Sequence, residues 1–319
     1  MKKLTVVMPF LNEGIEPVNT IISMNNTADP DTFDIIAIND GGTFEHGEKL
    51  KEHKNVFYVN NKHRIGVAAS RAIGINNCNT DAALVIDGHM RFDKDDWVNK
   101  IHDACMTYPK TVFCTRSYVL HDTDSVDKLD PLRPISETSK HYSLGAKVTF
   151  NNNIQRYPFA IRWYDYSNCL KEMNGLLPCV LGANYACKTN RFKNIRSFEG
   201  LKLYGYDEQY ISIKNWLLGG CCKGLDTVKV GHIFRKTAPF ISPTKYYVYN
   251  VLFAAHTLLE DEPVYLEKCY EVLKTNNEFN NGLELLKTNW DIVQSYHAHF
   301  KSMKTRSIKE YSDQFNIGL

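Results

Sequence analysis

The sequence lacks any long apolar run, and it carries almost no net charge. Its 319 residues contain no stretch of about 18 apolar residues, the length that a membrane-spanning helix requires. The apolar segment after Met1-Lys2-Lys3 is too short for a signal peptide. A formal net charge of +2 gives no general attraction to nucleic acid. We therefore expect a globular protein of the cytoplasm.

Disulfide and dinucleotide signatures are also missing. The nine cysteines include no Cys-x-x-Cys pair, and their odd number in a chain without a signal peptide indicates free thiols. No Gly-x-Gly-x-x-Gly follows a predicted strand, which argues against a dinucleotide cofactor. The segment Gly182–Thr189 resembles a phosphate-binding P-loop, but Cys187 stands where the second glycine is required.

What is present is an alternation of strands and helices in the first third of the chain. Such alternation predicts an α/β fold with a mostly parallel sheet covered by helices. The polar residues that end these strands should gather at one edge, where such sheets bind ligands. The predicted strands are Leu4–Pro9, Ile35–Asn39, Val56–Val59 and Ala82–Ile86, and the segments between them are Glu16–Asn25, Gly47–His53 and Gly66–Asn77.

The most informative motif is Asp87-Gly88-His89, directly after the apolar run Leu84–Ile86. An Asp-x-His pair occurs often by chance, and an ordinary loop is the simpler explanation for it. Its position at a strand end favours a metal site, because a carboxylate and an imidazole together suit Mn²⁺ as well as Zn²⁺. A metal held there would neutralise charge on a departing diphosphate.

A second candidate ligand is His232, at the polar end of the strand-like segment Val228–Arg235. A lone histidine at a strand end is more often a hydrogen-bonded structural residue than a ligand. The neighbouring cations Arg235 and Lys236 favour the functional interpretation, because a diphosphate leaving group requires positive charge around it. The loop from Lys236 to Phe240 would be able to close over such a site.

Further candidates are polar residues at other segment ends. Asp207 and Glu208 begin a predicted helix over Gln209–Leu218; they are either charges that complement the helix dipole or a pair that positions an acceptor or acts as a general base. Only one of them is expected to face the site, because neighbours on a helix diverge by about 100°. Asn39-Asp40 forms either a nucleobase contact or a simple turn, and Arg71 is either a phosphate contact or a solvated charge.

The organisation predicted from these patterns has three parts. Residues 1–115 and residues 116–240 form two halves of one domain, and residues 241–319 form a helical extension. Three helices are predicted in the extension, over Lys245–Glu260, Pro263–Lys274 and Gly282–Phe300. A basic cluster near the end is either a solvated tail or a contact to nucleic acid or membrane; its members are Lys301, Lys304, Arg306 and Lys309.

Several of these segments resemble glycosyltransferases of the GT-A fold and family 2 type, and most closely the polypeptide N-acetylgalactosaminyltransferases. The Asp87-Gly88-His89 triplet matches that family's metal motif, and Val230–Lys236 is similar to its VGHVFRK segment. The segment Tyr204–Gly220 resembles its WGGEN block. The remaining matches are more general: Val6–Glu13 for the opening strand, Ala37–Gly42 for the nucleotide turn and Gly66–Gly74 for the following helix.

The resemblance implies a UDP-sugar donor and a Mn²⁺ (or Mg²⁺) ion held by Asp87, His89 and His232. It implies that residues 1–115 are the nucleotide-sugar-binding half and residues 116–240 the acceptor-binding and catalytic half of one GT-A domain. It also implies catalytic roles for Asp207, Glu208 and Arg235. A cofactor-binding set comprises Pro9, Asn12, Glu13, Asn39, Asp40, Arg71, Asp87, Gly88 and Lys236. The sequence departs from the family where Asn39 replaces an Asp, Asp207 a Glu, Glu208 an Asn and Phe240 a Tyr. No membrane anchor and no lectin domain are expected.

The sequence therefore predicts a metal-dependent glycosyltransferase that uses a UDP-sugar. Its acceptor remains open between a glycan, a protein, a lipid and a hydroxylated DNA base. Retention of anomeric configuration is preferred by analogy alone, and under inversion Glu208 would be the base. The alternative is a non-catalytic protein that binds sugar nucleotides.

Overall fold

The computed structural model describes residues 2–121, 135, 142–150, 157–163, 175–235 and 237–319. Its twelve strands within those ranges are β1 Leu4–Phe10, β2 Phe33–Asn39, β3 Val56–Asn60, β4 Ala82–Ile86, β5 Met90–Phe92, β6 Thr111–His121, β7 Tyr142–Ser143, β8 Ala146–Thr149, β9 Ala160–Trp163, β10 Leu176–Leu177, β11 Asn184–Lys188 and β12 Cys221–Phe234. The helices span Glu16–Thr27, Gly47–Lys51, Val67–Asn76, Trp97–Thr107, Thr189–Asn194, Asp207–Leu217, Thr244–Leu259, Pro263–Leu273, Phe279–Thr288, Trp290–Met303 and Ile308–Phe315.

One large sheet organises the chain, with the strand order β10-β12-β6-β11-β4-β1-β2-β3. Strands β4, β1, β2 and β3 pair in parallel, as do β12 and β6, whereas β11 runs antiparallel to both of its neighbours. The predicted α/β class with a mostly parallel sheet is therefore confirmed. A separate two-stranded sheet joins β8 to β9.

Both faces of the central strands are buried, which explains their largely apolar sequences. Alternate residues of β1 point into two different cores: Val7 belongs to one, whereas Val6 and Met8 belong to the other. Side chains of a strand alternate between the two faces of the sheet, so an apolar residue is required at every position when helices cover both faces. The strand ends are polar because they leave these cores at one edge.

The pairing of β12 with β5 brings His232 close to Asp87 and His89, which lie more than 140 residues earlier in the sequence. Its antiparallel register aligns His232 with Met90, the residue after His89. A backbone hydrogen bond of 3.2 Å from the Ile233 amide to the His89 carbonyl fixes the two segments side by side. Two strand ends that are remote in sequence thus meet at one point.

A second close approach joins the helix Val67–Asn76 to the loop before Asp207. Gly66 has a φ of +105°, and a Cβ there would lie 2.3 Å from the Leu203 Cα, so no larger residue fits. The Val67 amide also donates to the Leu203 carbonyl at 2.8 Å. This contact brings the start of the helix Asp207–Leu217 against the helix that carries Arg71.

The carboxyl-terminal part contains five helices within the described residues, so the prediction of three was wrong. The predicted helix Gly282–Phe300 is interrupted at Asn289, which has a non-helical backbone and whose side chain donates to the Leu285 carbonyl at 2.7 Å. A last helix starts with a capping box formed by Ser307 and Glu310, a sequence signature that the prediction overlooked.

Candidate active site

A cavity of about 360 Å³ opens where the carboxyl ends of β1, β2 and β4 meet the end of β12. The position is the one expected for a ligand site in such a sheet. Its wall combines acidic, basic and aromatic side chains from seven segments of the chain. Ten of the residues predicted from the sequence line it: Pro9, Glu13, Asp40, Arg71, Asp87, His89, Asp207, Glu208, His232 and Arg235.

Three potential metal ligands converge in this cavity. One ligand atom from each of Asp87, His89 and His232 lies within 4.8 Å of the others. His232 Nε2 lies 3.3 Å from Asp87 Oδ2, and Nδ1 of the buried His232 has no hydrogen-bond partner among the described residues. Buried polar atoms are nearly always satisfied, and an imidazole with an unpaired nitrogen beside a carboxylate fits a divalent cation such as Mn²⁺.

The charges in this cluster are set by burial and by its neighbours. Burial opposes ionisation of Asp87, but His232 and Arg71 outweigh it and hold the pKa of Asp87 at about 2. Burial lowers the pKa of His232 below its ordinary value. An ionised carboxylate beside a neutral imidazole is the protonation state in which both groups can bind a metal.

Glu13 connects two of the predicted functional side chains. Its Oε2 accepts a hydrogen bond of 2.7 Å from His89 Nδ1 and another from Arg235 Nη2. Burial opposes ionisation, but His89 and Arg235 together lower the pKa of the Glu13 carboxyl. Because a carboxylate accepts and cannot donate, His89 must carry its proton on Nδ1, which leaves the Nε2 lone pair available as a ligand.

Arg71 is buried and forms ion pairs, so the alternative of a solvated charge was wrong. Its Nη2 donates to Asp87 Oδ1 at 3.0 Å and to the Gly182 carbonyl at 2.9 Å, while Nη1 donates to Asp207. A buried guanidinium that bridges two carboxylates holds both in place. The prediction of a phosphate contact for Arg71 stays a prediction.

Asp207 and Glu208 both line the cavity, at the amino end of their helix. Asp207 is buried and pairs with Arg71, and the expectation that only one of the two faces the site stays a prediction. Glu208 packs against Gly182, where an added Cβ would lie 2.2 Å from Oε1. Burial, reinforced by the charge of Asp207, raises the pKa of Glu208 to about 8.

Three residues of the predicted cofactor-binding set do not line the cavity. Asn39 is buried in the turn, where its amide oxygen accepts from the Gly42 amide at 3.2 Å and its nitrogen donates to Asn60. Asn12 is exposed and accepts from the Thr43 amide, and Gly88 is buried beneath the metal-ligand cluster. Their cofactor-binding roles stay predictions. Lys236 lies outside the described residues.

The cavity also contains residues that the sequence did not single out for a site. Arg64 donates to the Ile241 carbonyl at 2.5 Å and lies 4.9 Å from the Phe240 ring, so it ties the loop after Arg235 to the wall. The Trp163 ring packs 6.4 Å from His232. No sequence motif includes Arg64. Gly182 belongs to a motif only as the first residue of Gly182–Thr189, the segment that does not match a P-loop.

Comparison with known proteins places this architecture in a family. The sequence profile of the family described as "Glycosyl transferase family 2" matches residues 5–169. The chain belongs to glycosyl transferase family 2. "Polypeptide N-acetylgalactosaminyltransferase 10" of Mus musculus is 23% identical over 250 residues, which cover 75% of this chain and 39% of that protein. This chain thus spans about two fifths of that relative's length.

Two other comparisons bear on fold and activity. A crystal structure described as "GalNAc-T7 with UDP, GalNAc and Mn2+" superposes with a TM-score of 0.69 at 17% identity, covering 98% of this chain and 57% of that one. This likeness confirms the GT-A fold. An "Inactive polypeptide N-acetylgalactosaminyltransferase-like protein 5" of Macaca fascicularis is 24% identical over 287 residues, 83% of this chain and 59% of that protein.

The other sequence-based expectations have partial outcomes. Among the described residues, no helix is both long and apolar enough to cross a membrane. The eight cysteines in the described part of the chain are free thiols. The cytoplasmic location and the division of the chain at residues 115 and 240 stay predictions.

Proposed function

We propose that this protein is a metal-dependent glycosyltransferase that moves a sugar from a UDP-sugar to an acceptor hydroxyl. The observation that carries the proposal is the convergence of Asp87, His89 and His232 within 4.8 Å in a cavity at the ligand-binding edge of the sheet. Family membership and the likeness to a fold observed with UDP and Mn²⁺ support the same assignment.

Asp87, His89 and His232 would hold a divalent cation, Mn²⁺ or Mg²⁺, through one carboxylate oxygen and two imidazole nitrogens. Such an ion supplies Lewis-acid stabilisation of the charge on a diphosphate. Glu13 orients the His89 imidazole, and Arg71 restrains the Asp87 carboxylate. Arg235 places a guanidinium at the same cavity wall, where it stabilises the negative charge of the departing UDP.

In the transfer, the bond between the anomeric carbon and the diphosphate oxygen breaks, and its electron pair stays on UDP. The acceptor oxygen bonds to the anomeric carbon, and its proton passes to the departing phosphate oxygen if configuration is retained. Burial raises the pKa of Glu208 to about 8, which favours the neutral carboxyl at pH 7. That carboxyl donates a hydrogen bond to a sugar or acceptor oxygen and keeps its proton throughout. A neutral carboxyl is compatible with retention, whereas an inverting enzyme needs an ionised base at this position.

A non-catalytic protein that binds sugar nucleotides is the second candidate. A relative described as inactive makes it worth separating, and so do Asp207 and Glu208, which stand where the family has a Glu and an Asn. The test is a screen of UDP-sugars for UDP release with excess Mn²⁺, repeated with His89→Ala and His232→Ala. We expect turnover of at least one donor by the natural sequence and its loss in both variants. Donor binding without turnover would favour the second candidate, and undiminished turnover in both variants would defeat the metal assignment.

A further inference from the structure

A second cavity, of about 450 Å³, shares a wall with the first. Tyr204, Asp207 and Glu208 line both cavities, so a molecule in the second one lies next to the donor site. The remaining described residues of its wall are Tyr157, Ile161, Gly205, Tyr206, Gln209 and Tyr247. We infer that this cavity binds the acceptor, and that the acceptor is a neutral carbohydrate. The inference rests on the proposed function and names the substrate that it leaves open.

The first argument is the aromatic character of the wall. Four tyrosine rings line the cavity, and those of Tyr157 and Tyr247 lie 4.4 Å apart at an angle of 52°. The faces of aromatic rings are electron-rich, and they attract the polarised C–H groups of a sugar ring. Tyr204 is 48% exposed, so its ring is accessible to a ligand at the junction of the two cavities.

The second argument is an unpaired hydrogen-bond acceptor. The Gln209 side chain is 2% exposed, its amide lies against the Tyr247 hydroxyl, and in this amide orientation Oε1 has no hydrogen-bond partner among the described residues. A buried amide oxygen without a partner is costly, so a donor is expected to reach it in the working complex. The hydroxyl groups of a carbohydrate supply such donors around the whole ring.

The charge of the wall also favours a neutral ligand. The described residues of the wall include two acidic side chains and no lysine, arginine or histidine. A nucleic acid acceptor requires cations for its phosphates. The basic cluster near the end of the chain had left a nucleic acid contact open, but most of its side chains have partners within the protein. Lys304 pairs with Asp261 and Glu262, Lys309 pairs with Asp313, and Arg306 stacks on Trp216. A neutral, hydroxyl-rich ligand fits this wall best.

Glu208 links this cavity to the chemistry. A sugar hydroxyl that approaches from the second cavity reaches the anomeric carbon beside Glu208. Its oxygen forms the new glycosidic bond while the bond to the diphosphate breaks, and its proton leaves on UDP. The product is therefore an extended glycan.

The experiment uses the full chain with Mn²⁺ and the UDP-sugar that the donor screen selects. The acceptors are methyl glycosides of common hexoses, a serine- and threonine-containing peptide, and an oligonucleotide that contains 5-hydroxymethylcytosine, with products identified by mass spectrometry. Gln209→Met and Tyr157→Ala remove side chains of the second cavity, and Gln209→Glu restores an acceptor oxygen at position 209. Tyr108→Ala changes an exposed residue outside both cavities and serves as the control.

We expect transfer to at least one methyl glycoside. Gln209→Met should lower kcat/KM for that glycoside by about threefold to tenfold, the effect of one lost hydrogen bond, and Gln209→Glu should recover part of it. Donor hydrolysis without acceptor should be unchanged in the control Tyr108→Ala. Transfer only to the peptide or the oligonucleotide would overturn the inference. So would donor hydrolysis without any transfer, or equal kinetics in Gln209→Met, Tyr157→Ala and Tyr108→Ala. A chain that neither binds nor hydrolyses any UDP-sugar would instead contradict the proposed function, and this inference with it.

Discussion

Removal of the Glu13 carboxylate should weaken metal binding without removing a metal ligand. Glu13 Oε2 accepts from His89 Nδ1 at 2.7 Å and also from Arg235, and its side chain is 7% exposed. This single oxygen holds the His89 ring in the tautomer that presents Nε2 to a cation. Removal of a carboxylate that accepts a hydrogen bond from a metal-binding histidine typically lowers metal affinity by about 10- to 100-fold.

We expect Glu13→Ala to raise the Kd for Mn²⁺ by close to 100-fold, the upper end of that range. In this variant the His89 ring loses both its orientation and the neighbouring negative charge. Glu13→Gln keeps an acceptor oxygen of the same length, so its loss should lie near the lower end, about tenfold or 1.4 kcal/mol. Glu48→Gln makes the same chemical change on a side chain that is 85% exposed and serves as the control.

Isothermal titration calorimetry with MnCl₂ in the presence of UDP measures these affinities, and the electron paramagnetic resonance signal of free Mn²⁺ provides a second readout. Thermal unfolding in EDTA establishes that each variant is folded before it is titrated. The reasoning would be refuted if folded Glu13→Ala bound Mn²⁺ as tightly as Glu48→Gln.

Three further predictions concern the wall of the cavity. Asp207→Asn removes a charge partner of the buried Arg71, and urea denaturation should give a free energy of unfolding lower by about 3–5 kcal/mol; an unchanged value would contradict the ion pair. The pKa of Glu208 is about 8 in the folded protein and about 4.5, its ordinary value, in the unfolded chain. The protonated carboxyl therefore stabilises the fold fully below about pH 4.5, and this contribution is lost as the pH rises to about 8. The Tm advantage of the natural sequence over Glu208→Gln should therefore shrink between about pH 5 and pH 8, and a constant difference would count against the raised pKa. Gly182→Ala should displace the Glu208 carboxyl and reduce donor turnover. Gly318→Ala, which meets only the local strain of a φ of +78° and no atom within 4 Å of the added Cβ, should not; equal activity of the two variants would exclude a role for that contact.

Local sequence patterns predicted the part of the fold that depends on burial. The strand Ala82–Ile86 matches its predicted bounds because both faces of this strand are buried, and an unbroken apolar run then defines it. The metal-ligand motifs were found in the same way, since Asp87 and His89 follow an apolar strand and His232 lies near the end of β12. The break at Asn289 was missed because the apolar periodicity continues across it.

Tertiary contacts decided what the sequence left open. Arg71 gave no local sign of burial, because its partners Asp87 and Asp207 lie 16 and 136 residues away. The Asn39 amide is used inside its own turn, which a comparison of motif letters does not reveal. Gln209 also carries no motif, and its unpaired oxygen emerges only when the helix start, Tyr157 and Tyr247 meet around one cavity.

The most direct test of the account is an anomalous diffraction map at the manganese edge from crystals grown with UDP and Mn²⁺. The account predicts a peak bonded to a carboxylate oxygen of Asp87, to Nε2 of His89 and to one imidazole nitrogen of His232, with the UDP diphosphate completing the coordination. UDP in the cavity with no manganese peak at these three side chains would contradict it.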